Sequence, residues 1–154
     1  VLTGTAGQLR ELLASADIVH LAAHATLRRD NPLQSPVSLH DGPLALGELI
    51  ETGATPHLLY LSCCSLADQE RDPVLVGAVP LLLQSGVGRV VASTVAIHDL
   101  HAPELALAVH RALRDGAEPD DGLARLRRDT DPDDPHQAGR WAALAGMGSF
   151  TGLP

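Results

Sequence analysis

Three short apolar runs constrain this chain more than any other feature. Ile18-Val19-His20-Leu21-Ala22-Ala23, His57-Leu58-Leu59-Tyr60-Leu61-Ser62 and Arg89-Val90-Val91-Ala92-Ser93-Thr94-Val95 each have strand length and each gives way to a polar segment. Unbroken apolar runs of this length, without strict alternation, are expected of strands covered on both faces. Helical patterns separate them. Leu9, Leu12 and Leu13 form one face of a helix over about 6–15, capped by Thr3 or Thr5. Asp72-Pro73 opens a second helix, running through Val76, Val79 and Leu83 to Gly86, with a kink expected at Pro80. Pro103 opens a helix to about Leu113, ended by Gly116, and Pro119 opens another to about Arg128. Strands alternating with helices predict an α/β fold with a mostly parallel central sheet.

Weaker signals fill the remainder. Val37-Ser38-Leu39 with Asp41-Gly42 predicts a short edge strand and a tight turn, and Leu44 to Ile50 a helix stopped near Gly53. The acidic, proline-rich stretch 129–137 is expected to be a loop, and Trp141-Ala142-Ala143-Leu144-Ala145-Gly146 a last strand.

With 154 residues, 45% of them hydrophobic, a single domain over 1–154 with one packed core is expected. The net charge is −8 and the basic residues, all arginine, are scattered, so the basic stripe that nucleic acid requires is missing. No apolar run reaches the roughly eighteen residues of a membrane span, and the amino terminus lacks the pattern of a secretory signal. The two cysteines, Cys63 and Cys64, are adjacent; a vicinal bridge is strained and closes almost no loop, so reduced thiols and a cytoplasmic location are expected. The chain opens on Val1 and passes directly into a helical pattern, which is expected of the carboxyl-terminal part of a longer protein.

Chemistry-bearing residues stand where the apolar runs end. His24 follows the first, Cys64 ends the extension of the second and Asp99 follows the third, so an α/β fold would gather all three at the edge of the sheet where such folds bind ligands. A cysteine with a histidine about forty positions away is the layout of a Cys-His hydrolase, whose two partners meet through the fold. His20 shares a strand face with His24 by the period of two, and is read as a core histidine. A His20/His24/Cys64 metal site has no CxxC or HExxH spacing behind it, and no metal or cofactor is expected. Gly86-Val87-Gly88 precedes a strand and is no dinucleotide fingerprint.

His20-Leu21-Ala22-Ala23-His24-Ala25, then Leu61-Ser62-Cys63-Cys64, then Val91-Ala92-Ser93 with Asp99, then Trp141-Ala142-Ala143 resemble the CHAT domain in order and spacing, from about Leu2 to Gly148. That family is related to caspases, gingipains and separases and often follows helical repeats. The resemblance implies a caspase-like three-layer sandwich, with His24 at the position of the catalytic histidine and Cys64 at that of the nucleophile. It implies oxyanion donors in the N–H groups of Ala25, where the family has glycine, and of Cys64, while Cys63 stands where the family has alanine. Asp99 matches the acidic residue that arginine-cleaving members use to receive the side chain before the cleaved bond. Arg28-Arg29, just after His24, leaves open the converse preference for aspartate. The expected activity is a cysteine endopeptidase acting on protein or peptide substrates, with an upstream repeat or regulatory domain as a further partner. The alternative is a non-catalytic interaction module of the same fold.

Overall fold

The computed structural model describes residues 4–26, 28, 30–49, 55–65, 74–95 and 97–152, and the side chains among these other than those of residues 63–65 and 74–77. The elements are α1 (Ala6–Ser15), β1 (Ile18–Ala25), β2 (Pro36–Leu39), β3 (Gly42–Ala45), β4 (Leu58–Ser65), α2 (Val74–Gln84), β5 (Arg89–Ser93), α3 (Ala102–Arg114), α4 (Pro119–Arg128), α5 (Ala138–Gly146) and β6 (Met147–Thr151). They build one six-stranded sheet in the order β3-β2-β1-β4-β5-β6. The three central strands, β1, β4 and β5, run parallel, and antiparallel strands flank them on both sides.

Helices cover both faces. On one, Leu9 and Leu13 of α1 and Ala78, Val79 and Leu82 of α2 pack against Val19, Leu21, Leu59, Leu61, Val90 and Ala92. On the other, Leu105 and Val109 of α3, Leu123 of α4 and Leu144 of α5 pack against Leu58, Tyr60 and Val91. Consecutive strand residues serve opposite faces, so burial on both makes an unbroken apolar run, and Leu58 to Leu61 and Val90 to Ala92 are each at most 2% exposed. Three layers around a central sheet are the architecture of a caspase-like α/β sandwich. Among the described residues no helix is long and apolar enough to cross a membrane.

Local chemistry sets several boundaries where the sequence points to them. Thr5 caps α1 through a reciprocal box with Gln8, satisfying two main-chain donors. Gly42, at φ 131°, opens β3 after the turn at His40-Asp41 and holds a backbone that a side chain would strain. Pro119 begins α4, and α3 carries Pro103 in its first turn. The cap expected of Asp72 lies outside the described residues, while Pro80 sits inside α2 on its exposed side.

Three expectations are corrected. Leu44–Leu49 is not an α-helix: Leu44 and Ala45 close a hairpin with Val37 and Pro36, and a 3-10 turn follows over Leu46–Leu49. The segment is short, and pairing decides it. Trp141–Gly146 is helical, because Ala143, Leu144, Gly146 and Met147 are buried while Trp141, Ala142 and Ala145 face out, a spacing of three to four; the strand is the next five residues, paired antiparallel with β5. Finally, His24 and Cys64 lie inside β1 and β4, since pairing continues to Ala25↔Ser65, beyond the apolar runs.

The helices α3 and α4 meet at a glycine. A Cβ on Gly122 would fall within contact of the Ala108 carbonyl, which backbone cannot readily yield, whereas a Cβ on Gly7 in α1 would meet nothing nearer than 3.9 Å. Gly122→Ala is therefore expected to destabilise by about 1–3 kcal/mol through overpacking, and Gly7→Ala to stabilise by up to about 1 kcal/mol through helix propensity. Thermal unfolding of the two variants checks the opposite signs.

Candidate functional site

The parallel pairing of β1 with β4 decides what meets at the carboxyl ends of these strands. The register runs from Ile18↔Leu58 to Ala25↔Ser65 and sets His24 level with Cys64 and Ala23 level with Cys63. Neighbouring strands lie roughly 4.8 Å apart, so positions 24 and 64 are adjacent across the ladder. His24 is exposed; Cys64 is placed by its backbone alone, its side chain lying outside the described ones. Ala25 is buried between Ser65 on one side and Val37 on the other.

A cleft of about 1090 Å3 opens along β1 and is lined by His24, His20, Ser62 and Asp99, with Gln8, Glu11 and Leu12 of α1 forming one wall and Ala102 and Pro103 of α3 the other. Asp99 thus reaches the same cleft as His24. It stands in the turn between β5 and α3, and α3 begins with His101 at its cap position and no side-chain cap bond, so capping does not account for Asp99. Arg28 is engaged elsewhere: its guanidinium donates to both carboxylate oxygens of Asp30, at 3.2 and 2.7 Å, and that bonding holds Asp30 below the ordinary carboxylate range. Arg29 lies outside the described residues. Neither Arg28 nor any other arginine is among the described residues lining the cleft.

Below His24 on the same strand face lies an arrangement the sequence did not announce. The His20 ring stacks on Tyr60, centroids 4.3 Å apart and 8° from parallel, and its Nδ1 lies 2.9 Å from Nε2 of His110 in α3. Two neutral imidazoles satisfy this contact when one donates. Among the described residues the other His20 nitrogen, Nε2, is buried without a partner, and an unmatched lone pair costs less there than an unmatched N–H; the tautomer that fits has His20 Nδ1–H donating to His110. Ninety positions separate the pair; a single exposed histidine on α3 carries no local signal for it.

Burial first, and the charge of His110 second, push His20 down to about 4 from 6.5. The unfolded chain therefore binds the proton that the fold refuses, and stability is full above about pH 6.5 and falls as the pH drops from there toward 4. His20→Phe keeps a ring on Tyr60 and removes this titration. Its melting temperature is expected to fall less than that of the wild type between pH 6.5 and 4.5, by several degrees; parallel curves would mean that His20 is not held neutral.

These features sit in a chain for which a comparison with curated proteins finds no match. The profile of the CHAT domain matches residues 2–149, which includes every strand partner and cleft residue described above except those of the last two positions of β6. The chain belongs to the CHAT domain family, whose fold is related to that of the caspase-like peptidases.

Proposed function

We propose that this domain is a cysteine endopeptidase that uses Cys64 and His24. The observation that carries the reading is their pairing, position for position, at the carboxyl ends of two parallel strands beside one cleft. In this mechanism the Cys64 thiolate forms a bond to the scissile carbonyl carbon and the displaced π pair moves onto oxygen; the N–H groups of Ala25 and Cys64 face into the β1–β4 ladder, so they receive the oxyanion only when the last pairs of that ladder open. On collapse the C–N bond breaks and the His24 imidazolium gives its proton to the departing amine. Water then attacks the thioester, His24 takes the water proton, the C–S bond breaks and the thiolate is restored. This sequence consumes water alone and calls for no cofactor.

The register supports Cys64 over its neighbour, because Cys63 is level with buried-face Ala23. Cys64→Ala is expected to abolish cleavage of fluorogenic peptides and His24→Ala to lower it by roughly 10²–10⁴-fold, whereas Cys63→Ala keeps most activity. Loss in the Cys63 variant alone would move the nucleophile by one residue. Inert thiols toward iodoacetamide at neutral pH, together with no turnover, would favour an interaction module instead.

Cleavage after arginine or lysine follows from the carboxylate of Asp99 in the same cleft, which can take a guanidinium through two parallel hydrogen bonds. Asp99→Ala is expected to lower kcat/KM for arginine peptides by roughly 10- to 100-fold, the worth of a charge-assisted bond. A library profile that favours aspartate, or one unchanged in the variant, would refute this assignment.

A further inference from the structure

Directly below the His24–Cys64 pair, the sheet face under α3 carries a step in side-chain size. Leu58 and Tyr60 pack beneath α3, so Ser62 and position 64 share that face by the period of two, and the register sets His20, Ala22 and His24 level with Tyr60, Ser62 and Cys64. The pair between the rings and the candidate dyad is therefore Ala22 with Ser62, the smallest on this face of the two strands. Two strand positions cover roughly 6.6 Å, the reach of a long side chain. The recess they leave ends on the His20 and Tyr60 rings, stacked with centroids 4.3 Å apart. Asp99, Ala102 and Pro103 wall it at the start of α3, while α1 packs on the opposite face of the sheet. Ala22 is exposed; Ser62, at 8% exposure, lines the cleft, and its hydroxyl has no hydrogen-bond partner among the described residues.

We infer that Ala22 and Ser62 floor the pocket that receives the side chain before the cleaved bond, and that Ser62 makes this pocket prefer arginine to lysine; the inference rests on the peptidase reading above and adds two residues to Asp99. Alanine at position 22 leaves the room, since a larger side chain there would stand where the guest has to lie. The recess offers acceptors. A guanidinium carries five N–H donors in a rigid fork, of which the Asp99 carboxylate takes two, and the Ser62 hydroxyl accepts from another at the floor. A nearly dry hydroxyl without a partner gains most when a charged donor arrives. An ammonium is a compact point charge that a carboxylate satisfies by itself, so it gains less from a second acceptor. No arginine lines the recess among the described residues, and burial first, with His110 second, pushes His20 down to about 4, so the ring at its end is neutral at pH 7.

The test compares wild type with Ser62→Ala and Ala22→Leu on fluorogenic peptides that differ only in the residue before the cleaved bond: arginine, lysine or alanine. Ser62→Ala is expected to lower kcat/KM for the arginine peptide about tenfold, the contribution of one hydrogen bond to a charged donor, and that for the lysine peptide by less than about threefold. Ser62→Thr, which keeps the hydroxyl, restores the arginine-to-lysine ratio. Ala22→Leu is expected to lower arginine cleavage about 10- to 100-fold through overpacking of the pocket, with the alanine peptide affected least. Ala22→Val serves in the same way should the leucine variant fold poorly. An arginine-to-lysine ratio in Ser62→Ala equal to that of wild type, or losses in Ala22→Leu that are uniform over the three peptides, overturns the inference while the peptidase stands. A wild type that cuts none of the peptides and whose thiols are inert to iodoacetamide removes the peptidase reading, and the inference with it.

Discussion

The parallel ladder between β1 and β4 is the constraint on which the rest of the molecule depends. Because strand side chains alternate between faces, a slip of one residue would turn Val19 and Leu21, or Leu59 and Leu61, out of the layer they fill. Each of these residues is at most 7% exposed, and burying an aliphatic side chain contributes about 1.5–3 kcal/mol. The same slip would set His24 opposite Cys63 or Ser65. The core therefore holds the register, and the register holds the candidate pair; no loop has to position either residue.

The second helical layer is fixed to this ladder partly by polar contact. His110 of α3 reaches the His20 ring, which itself lies flat on Tyr60, and Tyr60 belongs to the same buried cluster as Leu58, Val91, Leu105 and Val109. A hydrogen bond between neutral rings gives α3 a defined seat that dispersion alone would leave looser. It also makes the docking of α3 dependent on the protonation of a half-buried group.

Much of the framework could be read in the sequence because local and tertiary preferences agree there. The runs around Val19, Leu59 and Val90 are buried on both faces and say so without ambiguity, and Thr5-Gln8, Pro103 and Pro119 mark helix starts through their own chemistry. Reading failed where partners decide. Leu44 belongs to a strand because Val37 lies opposite, and the alanine-rich Trp141–Gly146 is helical through a burial spacing that a six-residue run barely displays. The placement of His24 beside Cys64, and of Asp99 in the cleft, was legible because each closes an apolar run at the same end of the sheet. The seat of His110 and the wall formed by Glu11 and Leu12 were not, since both arise from packing between distant elements.

The β2–β3 hairpin and α1 are clasped to each other more firmly than the hairpin is to β1. Asp41 accepts from the Ala6 N–H with both carboxylate oxygens, at 3.0 and 3.2 Å, Gly4 receives His40, and Arg10 donates to Glu48 at 2.7 Å, against a single ladder pair at Ala25. Hairpin and helix are thus one unit, seated on the core through Leu9, Leu13, Val37 and Leu44, so a change in α1 reaches the strand beside Ala25 through bonds that bypass β1 itself.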